Sequence, residues 1–156
     1  FQMNRTILSA EAAAVHQERM DKQSEDFGAD VRTRLLRGAG VSAAEYVRAR
    51  RRQVELTRAL ELYFTDVDII LTPATRTPAE RWGEDAVSMA GSLTGFTGPF
   101  NLTGFPAIAL PCGFTQDRLP IGLQLVANRW NEALVLRVAH QYQLVTDWHA
   151  QRPPLA

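Results

Sequence analysis

Apolar residues recur at helical spacing in four stretches of the chain, and three short runs have a β-rich pattern. Ser9 stands before a helix expected from Glu11 to about Lys22, with Glu11 in the first turn, where the dipole favours a carboxylate. Ser24 to Gly28 reads as a break. Asp30 is the expected N-cap of a short helix, Val31 to Arg37, stopped by Gly38 and Gly40. Ser42-Ala43-Ala44-Glu45 fits a capping box. The helix it opens should be the longest, with Tyr46, Ala49, Leu56, Leu60 and Tyr63 as its buried stripe and Gln53 as the one polar interruption. Arg48 and Arg50-Arg51-Arg52 fall mostly off that stripe, as a solvated face or a partner or phosphate contact.

From Asp66 the period changes. Val67 to Thr72 predicts a strand closed by Pro73, and Ala74 to Ser88 predicts a surface loop. A short helix is expected from Pro99 or Phe100 to Thr103, ended by Gly104. Pro106 to Leu110 is apolar throughout, as a strand covered on both faces should be. A turn at Gln116-Asp117-Arg118 joins it to a strand from Ile121 to Val126, its expected neighbour in the sheet. Asn131 should cap a last helix, Glu132 to about Val145, with Leu134, Val135, Val138 and Tyr142 on one face. The expected fold class is α/β, mixed β-sheet strands flanked by about four helices, and the strands 67–72 and 106–111 need covered faces and paired edges.

Composition narrows the field. The chain has 156 residues, 46% hydrophobic and 22% charged, about one domain of an ordinary globule. Seventeen basic residues balance seventeen acidic ones, so net charge offers no case for nucleic acid or an anionic membrane. No apolar run approaches the roughly 18 to 20 residues that span a bilayer. One cysteine, Cys112, allows no internal disulfide. The chain opens Phe1-Gln2-Met3, without an initiator Met or a signal peptide, so a clipped or truncated start and a cytoplasmic setting are expected.

Candidate chemistry is sparse. Cys112 could be a nucleophile with His140 or His149 as base, but it lacks a cysteine-hydrolase motif and reads as a small residue closing a strand. His16, His140 and His149 are scattered, so no metal site and no cofactor is expected. Asp66 and Asp68 read as solvated entry to a strand. Ser9 and Ser42 read as caps, and neither Ser88 nor Ser92 sits in a Gly-x-Ser-x-Gly elbow.

Phe96-Thr97-Gly98-Pro99-Phe100-Asn101-Leu102-Thr103-Gly104-Phe105-Pro106-Ala107-Ile108-Ala109-Leu110-Pro111-Cys112-Gly113, followed by Leu119-Pro120-Ile121-Gly122-Leu123-Gln124-Leu125-Val126, resembles the carboxy-terminal part of the amidase-signature hydrolases. That family's late motif is an Asn, a Gly-x-Pro-Ala, an apolar strand, a Pro-x-Gly and a Pro-x-Gly-x-Gln strand. Asp66 to Pro73, the helices before it and Asp147-Trp148-His149 are similar to other parts of the family, so the resemblance runs from about residue 6 to 153.

The resemblance implies an amide hydrolase that works through two serines, one with a cis peptide bond, and a lysine. Those serines lie in a Gly/Ser-rich stretch that this chain lacks, and its only lysine, Lys22, is placed as a charged surface residue. No catalytic residue carries over. Residues 1–156 are therefore expected to be the carboxy-terminal portion of an amidase domain, with Thr94, Phe96, Thr97 and Asn101 lining part of the acyl pocket. The implied partners are the amino-terminal half of the same protein or a second copy, and a small-molecule amide. The glutamine amidotransferase branch carries an Asp where this chain has Thr94, which cannot form that charge pair, so the resemblance favours a general amide hydrolase over that branch. The other reading is a self-sufficient binding module that kept the scaffold and lost the chemistry.

Overall fold

The protein is described from a computed structural model, which covers residues 2–80 and 92–152. The main α-helices and strands of the described residues follow in order: α1 (Gln2–Lys22), α2 (Ala29–Ala39), α3 (Ala43–Tyr63), β1 (Ile69–Pro73), α4 (Gly98–Thr103), β2 (Ala107–Phe114), β3 (Pro120–Ala127) and α5 (Glu132–Leu144). The α/β class is as the sequence predicts. The three strands form one antiparallel sheet in the order β1-β3-β2, so the expected pairing of the last two strands holds.

Strand β3 is the middle strand and is buried from Leu123 to Ala127. Its side chains alternate between two cores. Leu123 and Leu125 join Leu110 and Ala139, under α5. Val126 joins Phe64, Phe100 and Phe105, under the end of α3 and α4. Phe64 and Phe105 stack with centroids 5.3 Å apart. Between Pro111 and Gly113 the register slips by one residue, which places Cys112 in a β-bulge with its sulfur 3.5 Å from the Ile121 carbonyl. The outer strands are less covered: Leu71 on β1 is 65% exposed, and Ala107 and Ala109 on β2 are exposed.

Several boundaries move. Helix α1 begins at Gln2, so Ser9 is interior to it and caps nothing. Its carbonyl instead meets α2: a Cβ on Gly38 would lie 1.9 Å from the Ser9 oxygen. Gly38 is thus a helix-crossing residue inside α2, and Gly40 is the C-cap. Gly28, not Asp30, is the N-cap of α2, and Asp30 lies in its first turn. The Ser42 capping box is present in full: Glu45 N–H donates to Ser42 Oγ at 3.2 Å, and Ser42 N–H donates to Glu45 Oε2 at 3.0 Å. These bonds hold the Glu45 carboxyl below its usual pKa, the backbone bond first. On α3, Ala49 is buried and Tyr46, Gln53, Leu56 and Leu60 are half-buried, but Tyr63 is exposed because the chain turns at Phe64, which takes the core position. Part of the predicted loop, 81–88, lies outside the described residues.

Gly104 ends α4 with φ of +73°, a left-handed C-cap that brings Phe105 back under the helix. A β-branched residue there is strained, so Gly104→Val should lower stability by about 1 to 3 kcal/mol in denaturant titration. Gly38→Ala should separate α1 from α2 at a similar cost of about 1 to 3 kcal/mol, since the obstruction is backbone. Unchanged midpoints would contradict both geometries. Because the Glu45 pKa is depressed, its contribution is present above the unfolded carboxyl pKa and is lost as pH falls through the folded value. Glu45→Gln should therefore flatten the acid limb of α3 melting followed by circular dichroism.

Candidate functional site

The turn 95–97 is held from below by the middle strand. Gln124, 3% exposed, interrupts the apolar run of β3 on the α3–α4 face of the sheet. Its Nε2 donates to Thr72 Oγ1 at 3.0 Å and to the Phe96 carbonyl at 3.2 Å. Thr72 in turn donates to the Pro73 carbonyl at 3.0 Å. A buried amide left unpaired is costly, so these bonds tie β3, β1 and the turn into one unit.

The far end of α4 is fixed in the same way. The Arg129 guanidinium donates to the Thr103 carbonyl, lies 5.5 Å from the Phe105 ring centroid and has Nε 3.7 Å from Glu61. A cation at the carbonyl end of a helix is favourable. Gln53 from α3 donates to the Leu102 carbonyl, so the polar interruption noted on α3 also serves α4. A cavity of about 610 Å³ lies on the outer side of the turn, between residues 73–78, Phe96 and the β2–β3 hairpin.

The predicted pocket residues divide between two settings. Phe96 is half-buried and lines the cavity. Thr97 is the N-cap residue of α4, without a capping bond from its side chain, and its carbonyl accepts from Asn101 N–H at 3.1 Å. Asn101 is exposed on α4, and Thr94 is exposed at the end of a helical stretch, residues 92–94. Thr94, Thr97 and Asn101 stand outside the lining of this cavity. The sequence reading missed Arg76, whose guanidinium lies 5.7 Å from the Phe96 centroid, and Arg129. Gln124 had a signal, a polar residue within an apolar strand, but its partners come from positions 28 and 52 residues away.

Lys22, Ser42 and Cys112 each have a structural partner. Lys22 Nζ is 2.6 Å from Glu18 Oε1 in an ion pair on an exposed turn of α1. Ser42 Oγ is engaged in the α3 cap, and Cys112 sits in the bulge. Among the described residues no group of three or more His, Cys, Asp and Glu side chains could hold a metal ion. No helix among them is long and apolar enough to cross a membrane.

Gln124→Leu removes both donors and leaves the Phe96 carbonyl and Thr72 short of a partner, at a cost of about 1 to 3 kcal/mol. Hydrogen exchange should report it locally: the Asn101 amide should lose protection while the Leu125 amide, in the β3 ladder, keeps it. Equal loss at both would mean that the amide supports the sheet and not the turn.

Comparison with known proteins gives this arrangement a context. The Amidase family matches residues 2–136. Among curated relatives, a glutamyl-tRNA(Gln) amidotransferase subunit from Synechococcus sp. (strain JA-2-3B'a(2-13)) is 41% identical over 135 residues, which cover 83% of this chain and 26% of that protein. One of the same name from Coxiella burnetii (strain Dugway 5J108-111) is 43% identical over 141 residues, covering 85% and 29%. The chain therefore spans little more than a quarter of the length of the curated relatives it matches. A crystal structure of an amidase superposes with a TM-score of 0.84 at 26% identity, over 92% of this chain and 35% of that one. The late motif from Phe96 to Val126, the α/β fold built on it and the extent of the match together show that this chain belongs to the amidase family.

Proposed function

We propose that this chain is the carboxy-terminal part of an amide hydrolase, supplying scaffold and one wall of the acyl pocket. Ser–cis-Ser–Lys chemistry would be carried by an amino-terminal half. The observation that carries this reading is the pairing of a family match over residues 2–136 with a single lysine that is held in a surface ion pair. In such an enzyme the serine attacks the carboxamide carbon, amine leaves, and water hydrolyses the acyl-serine, with backbone N–H groups stabilising the oxyanion. The contribution of this chain is positional. It sets the turn 95–97 and the start of α4 against the sheet, and Thr94, Thr97 and Asn101 would face the acyl pocket from there while Phe96 anchors the turn through its carbonyl.

Thr94 supports a general amide as substrate, because its neutral side chain offers no counter-charge to a substrate ammonium. A second reading, a protein that releases ammonia from glutamine, is favoured by the 41% and 43% identities to amidotransferase subunits. Small aryl and aliphatic amides compared with glutamine separate the two.

The partner proposed is the amino-terminal half or, without it, a second copy. The supporting observation is an outer strand, β1, that carries Leu71 65% exposed and whose outer edge pairs with no other strand among the described residues.

The purified chain should not turn over aryl or aliphatic amides, and should do so when co-expressed with a segment that supplies the serine pair and lysine. Turnover by the chain alone that survives Cys112→Ala would refute the division of labour. Light scattering coupled to size exclusion should find an oligomer or a complex with an amino-terminal fragment. A monodisperse monomer that binds no hydrophobic dye would favour the self-sufficient module.

A further inference from the structure

Helices α1 and α2 come together at Ser9 and Gly38 and leave a cavity further along, beside the turn Ser24–Asp26. Its volume is about 300 Å³, at the lower end of the roughly 300 to 1,000 Å³ of small-molecule sites. Ala13 and Ala39 bring only methyl groups to this space, and Leu35 adds an apolar side chain. The cavity shares no lining residue with the one beside the turn 95–97. Its two charged lining residues, Asp21 and Arg32, have opposite sign and come from different helices. Neither enters an ion pair among the described residues, whereas nearby Lys22 pairs with Glu18, and Arg19 with Asp26 at 3.7 Å. Arg32 is half-buried and donates through Nη1 to the Ser24 carbonyl at 3.5 Å, which leaves Nη2 and Nε for a ligand. Gln17 Nε2 donates to Asp21 Oδ1 at 2.8 Å, which leaves Oδ2.

The turn that closes this end of the cavity is tied to α1. Phe27 meets His16 edge-on, with ring centroids 5.7 Å apart, and the Arg19 guanidinium lies 5.1 Å from the Phe27 centroid. The Phe27 N–H donates to the Ser24 carbonyl at 3.3 Å. Two opposite charges that line one cavity without meeting leave room between them for the paired charges of a ligand. A lone anion would gain from Arg32 and lose to Asp21, and a lone cation the reverse, so a ligand that carries both charges fits best. We propose that this cavity binds a free α-amino acid with an apolar side chain. Its carboxylate would accept from Arg32, its ammonium would donate to Asp21, and its side chain would lie against Ala13, Leu35 and Ala39.

Binding tests this without turnover, so the outcome is independent of the hydrolase reading. The 156-residue chain is titrated with L-leucine while backbone amide resonances are followed. Isocaproate, which lacks the ammonium, and isoamylamine, which lacks the carboxylate, are titrated in parallel. Leucine should shift Ala13, Ser24 and Leu35 saturably, and each analogue should bind about tenfold more weakly or worse, as expected for loss of a charge-assisted bond. Arg32→Gln should bring leucine down to the level of isoamylamine. Asp21→Asn should bring it down to the level of isocaproate. Asp21 is exposed and Arg32 holds one long bond, so circular dichroism should find the helices intact in both variants. The three ligands on the unaltered chain decide the matter even if a variant unfolds. No saturable shift with leucine, an analogue that binds as well as leucine, or leucine binding by folded variants that is indifferent to both substitutions would overturn the proposal.

Discussion

The structure depends on burying β3 on both of its faces. A middle strand with side chains on both faces needs a layer on each, and the two cores meet this need: α5 covers Leu123 and Leu125, while α4 and the end of α3 cover Val126. Gln124 is the exception that gives this constraint its consequence. Its carboxamide is 3% exposed and must find partners inside the protein. It finds them in Thr72 and Phe96, and so the packing of the central strand also fixes the turn that leads into α4. Scaffold and site are therefore not separable here, because one buried amide belongs to both.

The same dependence on outside partners governs α4. It has six residues, too few to hold itself together in water, and its ends are secured from outside. Gly104 closes it with left-handed backbone, Thr103 Oγ1 donates back to the Pro99 carbonyl at 2.7 Å, and Arg129 and Gln53 satisfy carbonyls in its last turn. The aromatic pair Phe64 and Phe105 packs beneath. A short helix held by three other elements carries Thr97 and Asn101 with little freedom.

Against this ordered centre the outer strands are underused. Leu71, Ala107 and Ala109 lie open on strands whose sequences read as buried on both faces. Exposed apolar strand surface is normally covered in a stable protein, by more of the same chain or by another. The chain also spans little more than a quarter of the curated relatives it matches. The parts that are closed, β3 and its two cores, need only residues between 60 and 142.

By itself the sequence determined the elements whose signals are local: the Ser42–Glu45 box, the stop at Gly104, the hairpin turn at 116–118, the apolar strands and the last helix. Each of these rests on contacts a few residues apart, or on a backbone angle that one residue type favours, so a linear reading can find it. It also carried the family motif from Phe96 to Val126. Tertiary structure decided the rest. Ser9 has the chemistry of a cap but is interior, because residues 2–8 extend the helix and Gly38 packs on its carbonyl. Tyr63 has the spacing of a core residue but is exposed, because Phe64 takes the inward position as the helix ends. Gln124, Thr72 and Phe96 meet across 52 and 28 residues of chain, and Arg76 reaches Phe96 across another 20. Such meetings depend on which strand lies beside which. Local pattern does not encode that, since β1-β3-β2 and its alternatives satisfy the same alternation of apolar and polar residues.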